Sequence, residues 1–320
     1  MRRLVIVLAA VLVLAAVAYL VLGYMVYDAT ANIAGKCERR MDNRPDSFKL
    51  DVVDWPEFDY TPYFMPKYEE VRFPSRAEGI EISGWYMEAD PNAATVVIVH
   101  GIGACKYSVE ALMPASMLVR NGLNALAIDV RDAGDSTFED GRTAIGNEEY
   151  LDALGAFDWL VNAKGLPAEK IGLLGNSLGG ATAMNAFAAE PRVAALFLNS
   201  PFSNLPQVID EELQRQGYPT ILQPATLLMA RLVAGDNLTE RSPLEGMDQH
   251  GGRPIFIVHS MDDPRVSVSH TQQLEARGKE VGADVTVWYL PSAKHVAGYI
   301  TYPEEFEQKM VDFFRGALAE

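Results

Sequence analysis

The chain has 320 residues, 49% of them hydrophobic and 22% charged, with a formal net charge of -16 at pH 7. That length is ample for one sizeable core. The acidic balance, with no basic face, argues against nucleic acid as a partner, because phosphates are bound by clustered Lys and Arg. Only two cysteines occur, Cys37 and Cys105, and neither lies in a CxxC pair, which leaves a zinc knuckle or a thioredoxin-like site without support.

Met1-Arg2-Arg3 is followed by an uncharged apolar run over residues 4–27. About 24 residues suffice to cross a hydrocarbon core as a helix. The run has no polar stripe, as a core helix would, and it is longer than the apolar part of a cleaved leader. Residues 1–27 are therefore expected to form an uncleaved single-pass membrane anchor. Arg2 and Arg3 flank the run tightly, whereas Lys36, Arg39, Arg40 and Arg44 lie further off on its other side. Positive flanks tend to stay cytoplasmic: the count favours a cytoplasmic domain and the tight N-terminal flank an outside one, and because the N-terminus looks like a signal-anchor the expected placement of the following domain is extracytoplasmic. Residues 28–66 read as a polar, proline-bearing stalk with aromatics (DWPEFDYTPYFMP).

From residue 67 the pattern is regular. YEEVRFP and IEISGWYM alternate in character and suit an antiparallel pair. TVVIVH (95–100) is a continuous β-branched run, typical of a buried parallel strand. VEALMPASMLVRNG reads as a helix ending at Gly122 despite Pro114, followed by the strand NALAIDV. A helix over about 148–164 has apolar positions at Leu151, Leu154, Phe157, Leu160 and Val161. Then come the strand KIGLLGN, a helix rich in small residues (LGGATAMNAFAAE), and the strands VAALFLNS, IFIVHS and VTVWYL. A helix over 268–281 separates the last two, and a final helix covers about 303–318. Strands alternating with helices imply an α/β fold, with a mostly parallel sheet and helices on both faces. Residues 201–250 break the alternation, are too long for an ordinary loop, and read as a helical cap inserted in the domain 67–320.

The sharpest local signal is Gly175-Asn176-Ser177-Leu178-Gly179-Gly180, between a strand and a helix. G-x-S-x-G is informative only in that setting. The turn forces the serine into a strained conformation, and flanking glycines remove the clashes that would forbid it. A serine hydroxyl needs a base. Of His100, His250, His259, His270 and His295, the last lies on a loop after the final strand, where functional groups of such sheets gather. The third group is an acid that fixes the imidazole tautomer. Asp262 and Asp263 follow the strand IFIVHS, and Asp263 is favoured, with Asp262 a loop carboxylate. Backbone N–H groups of Leu178 and of Ile102, in the turn His100-Gly101-Ile102-Gly103, are the expected oxyanion donors. His100 is read as shaping that turn.

HGIGAC, IDVRDAGDS, GNSLGG, VHSMDDPRV and AKHVAGY occur in the order seen in α/β-hydrolases, and the chain from about 67 to 320 resembles that superfamily. Its motifs look most like the serine-aminopeptidase-like (S33) and BEM46-like hydrolases. The resemblance implies an eight-stranded, mostly parallel sheet, a catalytic set of Ser177, Asp263 and His295, and an oxyanion hole at Ile102 and Leu178. Where the family usually has Gly after the histidine of its VHG motif, this chain has Ser260. Where it often has D-x-R-G-x-G-x-S, this chain has RDAGDS with Asp132-Ala133.

The expected activity is hydrolysis of an ester, thioester or amide through an acyl-enzyme, with no metal or organic cofactor. The 201–250 segment carries apolar runs, of which ILQPATLLMARLV is the longest. A greasy inner face is expected there, with Leu227 and Leu228 part of it, favouring a small-molecule acyl substrate. An aminopeptidase-like enzyme would instead need an acid for the substrate amine, for which Asp210, Glu211 and Glu212 are available. An acyltransferase would use the same acyl-enzyme, and a non-catalytic binding protein on this fold is the alternative from another class. Cys37 and Cys105 are expected as free thiols, although an oxidising compartment would allow them to pair.

Overall fold

A computed structural model describes residues 1–37, 42–50 and 57–318. Arg39 and Arg40, which entered the charge comparison above, and part of the stalk sequence lie outside the described residues. Eight strands form one sheet: β1 (Glu69–Pro74), β2 (Glu81–Met87), β3 (Thr95–Val99), β4 (Asn124–Ile128), β5 (Ile171–Asn176), β6 (Ala195–Asn199), β7 (Ile255–Ser260) and β8 (Val285–Leu290). Their spatial order is β1-β2-β4-β3-β5-β6-β7-β8. β1 pairs antiparallel with β2, and β2 with β4, while every other pairing is parallel. The β-branched runs read from the sequence are the central strands, and β3, β4, β5 and β6 are buried along their whole length. This is the sheet that the α/β-hydrolase resemblance implies.

Ten helices accompany the sheet among the described residues: α1 (Arg2–Ala31), α2 (Val109–Val119), α3 (Tyr150–Asn162), α4 (Leu178–Ala189), α5 (Leu205–Arg215), α6 (Gln223–Val233), α7 (Pro243–Gly246), α8 (Ser269–Val281), α9 (Gly298–Thr301) and α10 (Pro303–Ala317). α2, α9 and α10 pack together as one layer, and α3, α4, α7 and α8 form a second. Two glycines show how closely the layers sit. A Cβ on Gly172 of β5 would meet the Phe314 ring of α10 at 2.8 Å, and one on Gly155 of α3 would meet the Pro74 carbonyl at 2.5 Å.

α1 is long and apolar enough to cross a membrane, and its most apolar stretch is exposed throughout. The helix does not stop at residue 27. It continues to Ala31, and its last turns lie on α6. Gly23, Tyr27 and Ala31, spaced four apart on one face, are buried. The crossing needs a small residue at Gly23, where a Cβ would stand 2.5 Å from that of Ala225. Tyr19 donates its hydroxyl proton to the Ile221 carbonyl (2.7 Å), and Asp28 pairs with Arg142 (3.0 Å). The Ala31 carbonyl accepts from the Thr143 N–H. Tyr27 and Ala31 thus join Phe202, Ile209, Leu213 and Leu222 in a second apolar cluster, separate from the core around the sheet.

Candidate active site

Ser177 sits between β5 and α4 with φ 53° and ψ −115°. Such a backbone is sparsely populated for a non-glycine residue and costs on the order of 1–3 kcal/mol. The surrounding turn enforces it. The Ser177 N–H donates to the Asn199 carbonyl (2.9 Å). Gly175 and Gly179 have no room for a side chain, since a Cβ would fall 2.2 Å from the Gly179 carbonyl oxygen in the first case and 2.3 Å from the Val99 carbonyl oxygen in the second.

The Ser177 hydroxyl donates to His295 Nε2 at 2.8 Å, and His295 Nδ1–H donates to Asp263 Oδ2 at 2.7 Å. Because the carboxylate only accepts, it fixes the proton on Nδ1 and leaves Nε2 free to take one. Asp263 is itself held: its Oδ1 accepts from the N–H groups of Arg265 (2.8 Å) and Val266 (3.0 Å). Burial alone would raise its carboxyl pKa. Hydrogen bonds from His259 and His295 outweigh burial and hold the group well below the usual carboxylate range. His259 lies behind it, with Nε2 3.5 Å from Oδ2 and 3.0 Å from the Val266 carbonyl, and with Nδ1 accepting from the Thr271 hydroxyl at 2.7 Å.

The loop bearing His295 is clamped on both sides. Asp262 accepts from Ser260 Oγ (2.7 Å), Ser292 Oγ (2.6 Å) and the Ala293 N–H (3.2 Å). Ser260, which stands where the family usually has glycine, also accepts from the Ala293 N–H at 2.7 Å. After the histidine, Val296 has φ 64°, and Ser200 beside it has φ 51°. Val296 N–H donates to Ser200 Oγ (3.3 Å), and its carbonyl accepts from Asn199 Nδ2 (3.2 Å). The sequence reading passed over Asn199 and Ser200. Their only signal was their place at the end of a central strand.

Ile102 and Leu178 both line the cavity at Ser177. Neither N–H has a backbone partner among the described residues. The turn carrying Ile102 is shaped by His100, whose Nε2 accepts from the Val130 N–H (3.3 Å) and whose Nδ1–H therefore donates to the Gly101 carbonyl (2.9 Å). Beyond the turn, Cys105 and Cys37 form a disulfide, in place of the free thiols expected. The next residue, Lys106, is fully buried and pairs with Asp129 (2.8 Å) and Asp135 (2.5 Å) of the RDAGDS region. The other histidines stand elsewhere. His250 is on a surface turn where it accepts from the Gly252 N–H, and His270 accepts from the Ser203 N–H beneath α5. Among the described residues there is no group of three or more His, Cys, Asp or Glu placed to hold a metal ion.

The cavity over Ser177 has a volume of about 520 Å³, within the range of small-molecule sites. Its walls are mostly apolar: Phe202, Leu205, Val208, Ile209 and Leu213 from the start of the 201–250 segment, and Leu22, Met25, Val26 and Ala29 from α1. This differs from the expected inner face. Of ILQPATLLMARLV, only Leu222 reaches the cavity. Leu227 packs in the second apolar cluster, and Leu228 is exposed. Lys36, Glu212 and Arg265 are the charged residues of the wall. Burial, and then the Arg265 charge, lower the pKa of the Lys36 ammonium below its ordinary value. Chemically, the arrangement sets an imidazole to take the Ser177 proton beside two backbone donors and an apolar cleft.

Residues 112–320 match the model of the prolyl oligopeptidase family. The chain is 23% identical over 269 residues to the uncharacterized protein YfhR of Salmonella typhi, covering 78% of this chain and 82% of that one. It is 26% identical over 190 residues to the thiohydrolase aneE of Aspergillus aculeatus, covering 59% and 58%. An esterase of Pyrococcus furiosus superposes with a TM-score of 0.65 at 21% identity, over 84% of this chain and 97% of that one. The α/β-hydrolase resemblance is borne out, and the family that matches by model is not one of the two groups its motifs looked most like.

Proposed function

This chain belongs to the prolyl oligopeptidase family, and from that premise we propose that it is a serine hydrolase that cleaves an apolar acyl ester or thioester through an acyl-enzyme. Ser177 is the nucleophile, and His295 takes its proton and returns it to the leaving group. Asp263 orients His295 and stabilises the imidazolium. The backbone N–H groups of Ile102 and Leu178 receive the oxyanion. Water then releases the acid; acyl transfer would differ only in the second nucleophile. The observation that carries this reading is the unbroken relay from Ser177, which lines an apolar cavity, through His295 to Asp263. The thioester class also has support in the name of one relative, a thiohydrolase. α1 is the membrane anchor, the domain from residue 67 carries the chemistry, and residues 201–250 cap it.

One observation favours a second reading, an amide hydrolase acting on amino-acyl substrates. Glu212 lines the cavity, where a carboxylate suits a substrate ammonium group. It is engaged with Arg215 and Gln216, which weakens its hold on a substrate cation.

A fluorophosphonate probe tests the nucleophile. Labelling of wild-type protein, lost in Ser177→Ala, is the expected result, and labelling retained in that variant refutes it. A panel of acyl esters, thioesters and amino-acyl amides on the full-length protein tests the substrate class.

A further inference from the structure

We propose that α1 is a substrate-binding element as well as an anchor: its last turns wall the acyl site, and the site draws its acyl chain from a lipid ester or thioester held in the same bilayer. This rests on the hydrolase reading above. α1 has 30 residues, whereas a span needs about 20. Its C-terminal turns pack on the domain and its N-terminal part is exposed, so the surplus third of the helix is placed at its C-terminal end. Those are the turns that share a cavity with Ser177. They use two faces, as a helix must. Gly23, Tyr27 and Ala31 dock on the domain, while Leu22, Met25, Val26 and Ala29 face the cavity. Tyr19 and Tyr24, amphipathic rings suited to a membrane interface, stand one turn or less from that wall.

The neighbouring surface continues the apolar span. Ile221, Leu228, Leu232 and Val233, on and beside α6, are exposed next to α1. Water is a poor neighbour for a patch of this kind, and lipid tails around α1 are the occupant its continuity with the span points to. The acyl cavity thus opens between two elements that both meet the bilayer. A lipid chain can slide along α1 to Ser177 without crossing water, whereas an acyl donor arriving from water must leave it before it meets the same wall.

The test uses full-length protein in phosphatidylcholine vesicles. Met25→Trp and Ala29→Trp fill the cavity from α1, and Val13→Trp, on the exposed span, is the control. Because misfit in an apolar pocket costs about 10- to 200-fold per group, both cavity variants should lose at least about tenfold in kcat/KM on p-nitrophenyl octanoate. The loss on p-nitrophenyl acetate should be clearly smaller, because a two-carbon acyl group reaches less of that wall than an eight-carbon one. Val13→Trp should match wild type on both. In a second arm, p-nitrophenyl palmitate should be cleaved when it shares the enzyme's vesicles and not when supplied in separate ones. Unchanged octanoate turnover in both cavity variants, equal loss on acetate, or equal rates from separate vesicles each overturn the proposal. A wild-type protein that cleaves no ester brings down the hydrolase reading itself, whereas an active wild type with indifferent variants brings down this inference alone.

Discussion

Asp262 and Ser292 are joined by a 2.6 Å hydrogen bond, and through it the acid beside Asp263 holds the loop that carries His295 and not the imidazole itself. The two adjacent aspartates therefore predict different phenotypes. Ser177→Ala and His295→Ala should each lower kcat by on the order of 10⁴-fold or more, and the double variant should lose little further, because the groups act as a unit. Asp263→Asn should cost between about 10² and 10⁴, since an amide leaves the wrong imidazole tautomer. Asp262→Asn keeps acceptors and a donor for the loop and should stay within about threefold, while Asp262→Ala lets the loop shift and should cost about tenfold or more. Steady-state kinetics on one ester decides; Asp262→Asn as damaging as Asp263→Asn would reverse the assignment.

The Cys37–Cys105 disulfide closes a loop of 68 residues and ties the chain after α1 to the turn that bears Ile102. In the chain-entropy account such a closure is worth about 4 kcal/mol. Unreduced, denatured protein should show no titratable thiol, and two after reduction. Cys37→Ser should lower the melting temperature and, by freeing the oxyanion turn, lower kcat more than KM. Two thiols in the unreduced protein would rule the bridge out.

A disulfide at that place would persist only in an oxidising compartment, and together with the tight Arg2-Arg3 flank this predicts a domain outside the cytoplasm. Protease added to intact cells or spheroplasts should then degrade the domain. Full protection until lysis would place it inside.

How much of this was legible in the sequence follows from how local each feature is. The Gly175–Gly179 turn is read from five residues, because the steric demand on Ser177 and its answer lie side by side. Asp263 and His295 needed only the ends of two strands. The role of α1 was not legible. Its apolar run has no period to mark one face, and Gly23 matters only because Ala225 lies across from it, some 200 positions away. The Cys37–Cys105 pairing is equally non-local. Leu227 and Leu228 were misplaced for a related reason: α6 spends its apolar residues on α1 and on its outer surface, while α5, with three consecutive acids, supplies the cavity wall through Leu205, Val208, Ile209 and Leu213.

Glu190, at the end of α4, gives a pH-dependent stability. Its carboxylate accepts from Arg192 (2.8 Å) and from Arg76 (2.7 Å). The Arg192 hydrogen bonds, opposed by burial and joined by that of Arg76, hold it at about 2, down from 4.5. A depressed folded pKa stabilises above the unfolded value and loses that contribution as pH falls from about 4.5 towards about 2. Arg192 is more than half exposed, so solvent screens part of the gain. Glu190→Gln should lower the melting temperature at pH 7 by about 2–6 °C, and the gap from wild type should narrow as pH falls below about 4.5 and close towards about 2. A gap independent of pH would assign the loss to packing.

The cavity wall separates the two substrate readings. Each methylene buried against Ile209, Leu213 and Val26 contributes about 0.8 kcal/mol, roughly fourfold in kcat/KM. Lengthening a p-nitrophenyl ester from two to about eight carbons should therefore raise efficiency by on the order of 10²-fold or more, allowing for incomplete burial. Leu213→Asp puts a carboxylate into that buried wall, so it should flatten the profile and also lower the melting temperature. Glu212→Gln should leave the ester series alone, because its carboxylate has no partner in an apolar chain. The amide reading predicts the reverse: a flat or falling chain-length profile, clear cleavage of amino-acyl amides, and a rise in KM for those amides when Glu212 loses its charge.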